Sequence, residues 1–190
     1  MQRVRNYLHR FVSDIWISSI EEKTNQELLG PDYRLVINSL DALETGVGQE
    51  LLSALGLIKS QNPADWSAAA LVCRNVILKL GRTLFPAQLD TYESSLAGKT
   101  LNLKGEKELN RLCAFIDCHW RQADDPSKRE LERMDELARL AYGRASRGKR
   151  GTELRHADAQ QLVVDTFDLV SSLGSLVGFE PVQAEPSNAR

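Results

Sequence analysis

Histidine and cysteine are scarce here, with three of each among 190 residues. With only His9, His119 and His156 to draw on, most metal-site and catalytic-triad schemes lack parts. Cys73, Cys113 and Cys118 form no CxxC pair, leave an odd count, and each sits among apolar neighbours, which reads as reduced core thiols. Cys113, Cys118 and His119 do not share one helical face, and no fourth ligand accompanies them. The chain also lacks a P-loop, a GxGxxG, an HExxH and a GxSxG, which removes the commonest nucleotide, zinc-protease and hydrolase signatures.

No apolar run is long enough to span a bilayer. The start, Met1-Gln2-Arg3-Val4-Arg5, looks like the charged head of a signal peptide. However, His9, Arg10 and Asp14 interrupt the apolar stretch behind it, and no small-residue cleavage site appears. The expectation is a cytoplasmic protein with no membrane contact. Net charge is only −2, so there is no global pull toward nucleic acid or anionic lipid, and any basic surface must be local.

Apolar residues make up 42% and charged residues 26%, the balance of a chain that folds around a core. Helical periodicity dominates. Val4, Leu8, Phe11, Ile15 and Ser19 step by three and four. Leu35, Ile37, Leu40 and Leu43 form a short second run, and Leu51, Leu52, Leu55 and Ile58 a third. The best-marked helix opens with Asn62 as cap, Pro63 in the first position and Asp65 against the dipole. Trp66, Ala69, Ala70, Cys73, Val76, Ile77, Leu80 and Leu84 trace its apolar stripe, and Pro86 closes it.

A polar stretch with Gly98 and Gly105 comes next. Leu109, Leu112, Cys113, Ile116 and Trp120 then mark another helix. Asp125-Pro126 repeats the cap-plus-proline start for a helix carrying Leu131, Met134, Ala138, Ala141 and Ala145 inward, with Asp135 and Arg139 as an i,i+4 pair. Gly148 and Gly151 interrupt it. The last helix points Val163, Phe167, Val170 and Val177 inward, flanked by Leu162, Leu169, Leu173 and Leu176. No segment alternates over a sustained length between hairpin turns, so little or no sheet is expected. The fold class is all-α, a helical bundle. Residues 1–60 read as an N-terminal helical segment packed on the bundle, 61–179 as the bundle, and 180–190 as a disordered tail.

Carboxylates lie on helix faces among lysines and arginines, as on a solvated surface. Arg74, Lys79 and Arg82 likewise line the polar side of one helix. Trp16, Trp66 and Trp120 sit at helical spacing as core or interface anchors. One segment stands apart, between the last two helices. Arg144, Arg147, Lys149, Arg150 and Arg155 bring five cations to the approach to His156. Such a group can support phosphodiester cleavage without a metal. A histidine takes a proton from a ribose 2′-hydroxyl, a guanidinium holds the phosphate, and the free N–H groups of the next helix favour an anion. The same cations also read as a helix terminus, where they offset the dipole by a few tenths of a kcal/mol to about 1 kcal/mol. His156 then serves only to open the last helix.

A charged helix, a basic turn and a histidine opening an amphipathic final helix together resemble the HEPN superfamily of small helical proteins. Arg150 and His156 are separated by five residues, within that family's R-x4-6-H motif. The stretch His156-Ala157-Asp158-Ala159-Gln160-Gln161-Leu162-Val163-Val164 resembles the final helix of HEPN-like proteins of prokaryotic defence. The resemblance spans roughly residues 62–178 and is strongest over 128–177. It implies a HEPN-like bundle, here with additional N-terminal helices, that forms a homodimer in which two Arg–His sets share a cleft. It also implies metal-independent RNA cleavage in active members, with no cofactor. Arg150 and His156 would be catalytic, and Arg144, Arg147, Lys149 and Arg155 would bind RNA. The expected setting is a toxin or phage-defence system, including a partner protein of a toxin–antitoxin kind. The alternative is a non-catalytic helical interaction module or adaptor that binds a protein partner.

Overall fold

The computed structural model describes residues 23–30, 33–34, 36–38, 46–86, 90–105, 107–149 and 154–177, with 148 and 149 in backbone only. The runs around Leu8 and Leu40, Trp16, and the tail from Glu180 lie outside the described residues. Residues 23–29 and most of 33–38 are helical. They precede α1 (Val47–Ile58), α2 (Pro63–Leu84), the strands β1 (Thr91–Ser94) and β2 (Lys99–Asn102), α3 (Glu108–Gln122), α4 (Asp125–Lys149) and α5 (His156–Leu176). The chain is mostly helical, an all-α bundle with one two-stranded hairpin.

The central element is α2, which packs against α1, α3, α4 and α5. Its buried side includes Ala69, Ala70, Cys73 and Gly81, small residues that let several helices approach one axis. Across from it, α4 buries Ala138, Ala141 and Ala145 on the predicted face, with Leu131 and Met134. One core joins Tyr33 and Ile37 and the buried faces of α1 and α2 to those of α4 and α5. On α5, Val163, Phe167 and Val170 are buried as expected, whereas Val177 is 42% exposed. It follows the helix terminus, where the helical phase no longer holds it inward.

The start of α2 is as the residues dictate. Asn62 is extended (φ −90°, ψ 120°), and its Oδ1 accepts from the Ala64 N–H at 3.1 Å, ahead of Pro63. Asn62→Ala should therefore lower stability by about 1 kcal/mol, read as a shifted denaturation midpoint at unchanged m-value. At α4 the cap lies one residue earlier than the proline suggests. Asp124 Oδ1 accepts from the Ser127 N–H at 3.2 Å, and the Asp124 carbonyl accepts from the Lys128 N–H at 2.9 Å.

The polar stretch after Pro86 is not plain loop. Thr91, Tyr92, Glu93 and Ser94 pair antiparallel with Asn102, Leu101, Thr100 and Lys99, and Gly98 turns the chain at φ +59°. Its apolar side, Leu101 and Leu103, joins Cys113 and Ala114 of α3 in a small second core. Two polar clasps hold the hairpin to α3. Arg111 donates to the Leu103 carbonyl through Nε and Nη2, both at 3.1 Å, and to the Gly105 carbonyl at 3.0 Å. Asp117, fully buried, accepts from the Tyr92 hydroxyl (2.7 Å), the Ser94 hydroxyl (3.0 Å), the Leu96 N–H (2.6 Å) and Arg121 Nε (2.9 Å). A two-stranded hairpin is marginal alone, so these clasps and the second core supply what the strands lack.

Candidate functional site

The approach to α5 is set by burial. Leu154 is buried, Arg155 caps the helix in an extended conformation (φ −74°, ψ 151°), and Ala159 is buried at the fourth helical position. Leu154 and Ala159 share the main core at the spacing of a hydrophobic staple, which fixes the angle at which the chain enters the helix. His156 is therefore delivered to one place, at the α5 N-terminus.

There its ring meets α1 and α2. Nε2 lies 2.7 Å from the Ile58 carbonyl oxygen, at the end of α1, and the ring centroid is 5.1 Å from that of Trp66, tilted by 50°. The Trp66 indole N–H donates in turn to the Ser60 carbonyl at 2.7 Å. A carbonyl only accepts, so Nε2 carries the proton in this contact, and in the neutral imidazole Nδ1 keeps its lone pair. No described residue bonds Nδ1.

The cations divide into three kinds. Arg144 is half-buried and pairs with Asp165, which also accepts from the Gln161 amide at 2.8 Å. Arg155 is exposed and forks onto Asp158 at 2.8 and 3.3 Å. The Arg155 hydrogen bond, then the charges of Arg155, Arg144 and Arg147, hold the Asp158 carboxyl below its ordinary range despite slight desolvation. Arg147 is exposed on the last turns of α4. Lys149 ends α4, its side chain lying outside the described residues, and Arg150 lies outside them altogether. The structure thus gathers His156, Arg144, Arg147 and Arg155 at the α4–α5 junction, with Asp158 and Asp165 among them.

Other candidates disperse. His119 Nδ1 lies 2.9 Å from the Phe115 carbonyl oxygen, with its ring over Phe115. Cys118 faces the Tyr92 hydroxyl at 3.3 Å. Burial pushes the Cys73 thiol up to about 12, against the opposing effect of its hydrogen bond with Thr166. Burial also raises Cys113 well above a thiol's usual value, with the Asp135 charge adding to it. Neither is a thiolate at neutral pH. Among the described residues no group of three His, Cys, Asp or Glu is placed to hold a metal ion, and no helix is long and apolar enough to cross a membrane. On α2, Arg74 reaches the Tyr142 hydroxyl (3.3 Å), Lys79 pairs with Glu50, and Arg82 with Glu108 (3.2 Å).

The clasp of His156 by Ile58 and Trp66 was invisible in sequence, since the partners are far apart in the chain and one is a backbone carbonyl. Only the apolar surroundings of Trp66 pointed toward an anchoring role. Compared with known proteins, the chain matches no family model, no curated protein and no solved structure.

Proposed function

We propose that this chain is a HEPN-like RNA-binding bundle that acts as a metal-independent endoribonuclease of a toxin or phage-defence system. In this reading it works in the cytoplasm as a homodimer. The observation that carries the proposal is the state of His156, held through Nε2 by the Ile58 carbonyl while no described residue bonds Nδ1, beside a helix N-terminus and exposed arginines.

In this chemistry Nδ1 takes the proton of a ribose 2′-hydroxyl, and the 2′-oxygen attacks the adjacent phosphorus. The bond to the 5′-oxygen breaks, and that oxygen takes a proton from water or from the second protomer's imidazolium. The products are a 2′,3′-cyclic phosphate and a free 5′-hydroxyl. Arg150 holds the phosphate, and Arg144, Arg147, Lys149 and Arg155 flank the strand.

The test is RNA cleavage in chelator. His156→Gln keeps an N–H near the Ile58 carbonyl but removes the base, so it separates catalysis from clasping. Cleavage should fall by roughly 10²- to 10⁴-fold at little change in melting temperature. Arg150→Ala should fall comparably. Equal cleavage by all three proteins, or none by the wild type across varied RNAs, would rule the activity out. A second reading draws on the same contact: with Nε2 on a carbonyl and the ring against Trp66, His156 also suits a purely structural clasp. The protein is then a non-catalytic helical interaction module or adaptor for a protein partner, and His156→Gln would leave partner binding intact.

A further inference from the structure

On α4, Glu136, Leu140, Gly143 and Arg147 step by four, three and four, so they share one face of the helix. That face lies opposite the buried stripe of Met134, Ala138, Ala141 and Ala145. All four are exposed, Leu140 by 48%. A single exposed leucine is ordinary on a protein surface. Here, however, it stands beside a gap, since nothing lies within 4 Å of a Cβ at Gly143.

The charges at the two ends of the stripe are open. Glu136 and Arg147 have no ion-pair partner among the described residues. The Arg147 charge acts on Asp158 from beyond ion-pair distance, and that carboxylate is already forked onto Arg155. The flanking cations Arg139 and Arg144 are held within the protomer by Asp135 and Asp165.

The stripe is its own complement. In two copies set antiparallel about a two-fold axis between Ala141 and Tyr142, each Leu140 faces the partner's Gly143. The same register sets each Glu136 against the partner's Arg147, because both pairs are centred on that axis. A parallel pair in register would instead oppose glutamate to glutamate and arginine to arginine, which is repulsive. We propose that this face of α4 is where a second copy of the chain docks, with Leu140 seated on the partner's Gly143 and Glu136 paired with the partner's Arg147. The inference rests on the homodimer reading above and names its contact. The Arg147 guanidinium has five N–H donors, so the pairing leaves some for a phosphate. The overlap from 136 to 147 is about 18 Å of helix. One helix pair of that length buries less than the roughly 1,600 Å² of a standard interface, so a dissociation constant of about 1–100 µM is expected.

Sedimentation equilibrium on the full chain from about 1 to 500 µM tests it. Leu140→Glu should weaken association by roughly tenfold or more, and Gly143→Leu, which fills the gap, by a similar factor. Neither should unfold the protomer, because both positions are exposed and leucine is the better helix former at 143. Glu136→Arg and Arg147→Glu should each weaken the dimer by roughly tenfold, and the two combined should restore it. Leu71→Glu, at an equally exposed leucine of α2, should leave association unchanged. A monomer throughout would overturn both the interface and the homodimer. A dimer indifferent to Leu140→Glu and Gly143→Leu, equal loss in Leu71→Glu, or no rescue by the charge swap would overturn this interface and leave the homodimer standing. Cleavage at His156 enters none of these readings, so its failure is distinguishable.

Discussion

Asp117→Ala should destabilise the protein by about 3–5 kcal/mol, the usual consequence of removing one partner from a buried charged network. The substitution leaves the Tyr92 and Ser94 hydroxyls and the Leu96 N–H without their acceptor. Arg121 suffers least, because its half-exposed head reaches water. Loss should begin at the hairpin. Amide exchange in 91–102 should rise before exchange in α2 does, and the global melting temperature should fall with it.

The same network sets an acid response. Burial raises the Asp117 carboxyl, but the Leu96 N–H, the two hydroxyls and Arg121 together outweigh burial and hold it below the ordinary carboxylate range. A depressed folded-state value means that the unfolded chain takes up the proton first as pH drops. The contribution is therefore complete above about pH 4, the usual aspartate value, and is lost as pH falls through the lower folded-state value. Asp117→Asn keeps the shape and removes this titration. Its stability should be lower at neutral pH, and its loss on acidification below about pH 4 should be shallower than the wild type's. Parallel acid profiles for the two proteins would refute the assignment.

Gly81 offers the second large effect. A Cβ on Gly81 would lie 2.9 Å from the Glu108 carbonyl carbon and nearer still to its oxygen. The obstacle is backbone at the start of α3, which cannot rotate aside. Gly81→Ala should therefore destabilise by about 1–3 kcal/mol even though alanine is the better helix former, and Gly81→Val by more. Gly143 on α4 is the control, because nothing lies within 4 Å of a Cβ there. Gly143→Ala should stabilise by about 0.5–1 kcal/mol, so one substitution takes opposite signs at two helical glycines. Chemical denaturation of both variants decides the matter, and a stabilised Gly81→Ala would show that α2 and α3 do not meet as described.

How much of this could be read along the chain depends on the range of the forces involved. Helix starts depend on a few consecutive residues, so Asn62-Pro63 located α2 to the residue, while Asp124 escaped notice because Asp125 and Pro126 formed an equally plausible pair. Faces depend on periodicity over a few turns, so Leu131, Met134, Ala138, Ala141 and Ala145 were identifiable as buried, and Asp135 with Arg139 as a pair, which forms at 2.7 Å. Val177 failed because periodicity says nothing about where a helix stops. The hairpin at 91–102 failed because its strands are four residues each and its anchor, Asp117, reaches it from α3. Only Tyr92, Thr91, Thr100 and the turn at Gly98 hinted at it.

The candidate site divides along the same line. Local composition was enough to mark the junction of α4 and α5 as basic and to place His156 at the first position of the last helix, since charge, capping and periodicity are near-neighbour properties. Which arginines are engaged was only partly local: Arg155 is held by Asp158 three residues on, but Arg144 by Asp165 one helix away. Nor was the orientation of the imidazole, which depends on a carbonyl of α1 and an indole of α2 brought against it by packing. Chain order specified the helices and their inward faces because those preferences act over a few residues. Packing around α2 settled which nitrogen of His156 faces the Ile58 carbonyl, because that depends on groups far apart in sequence.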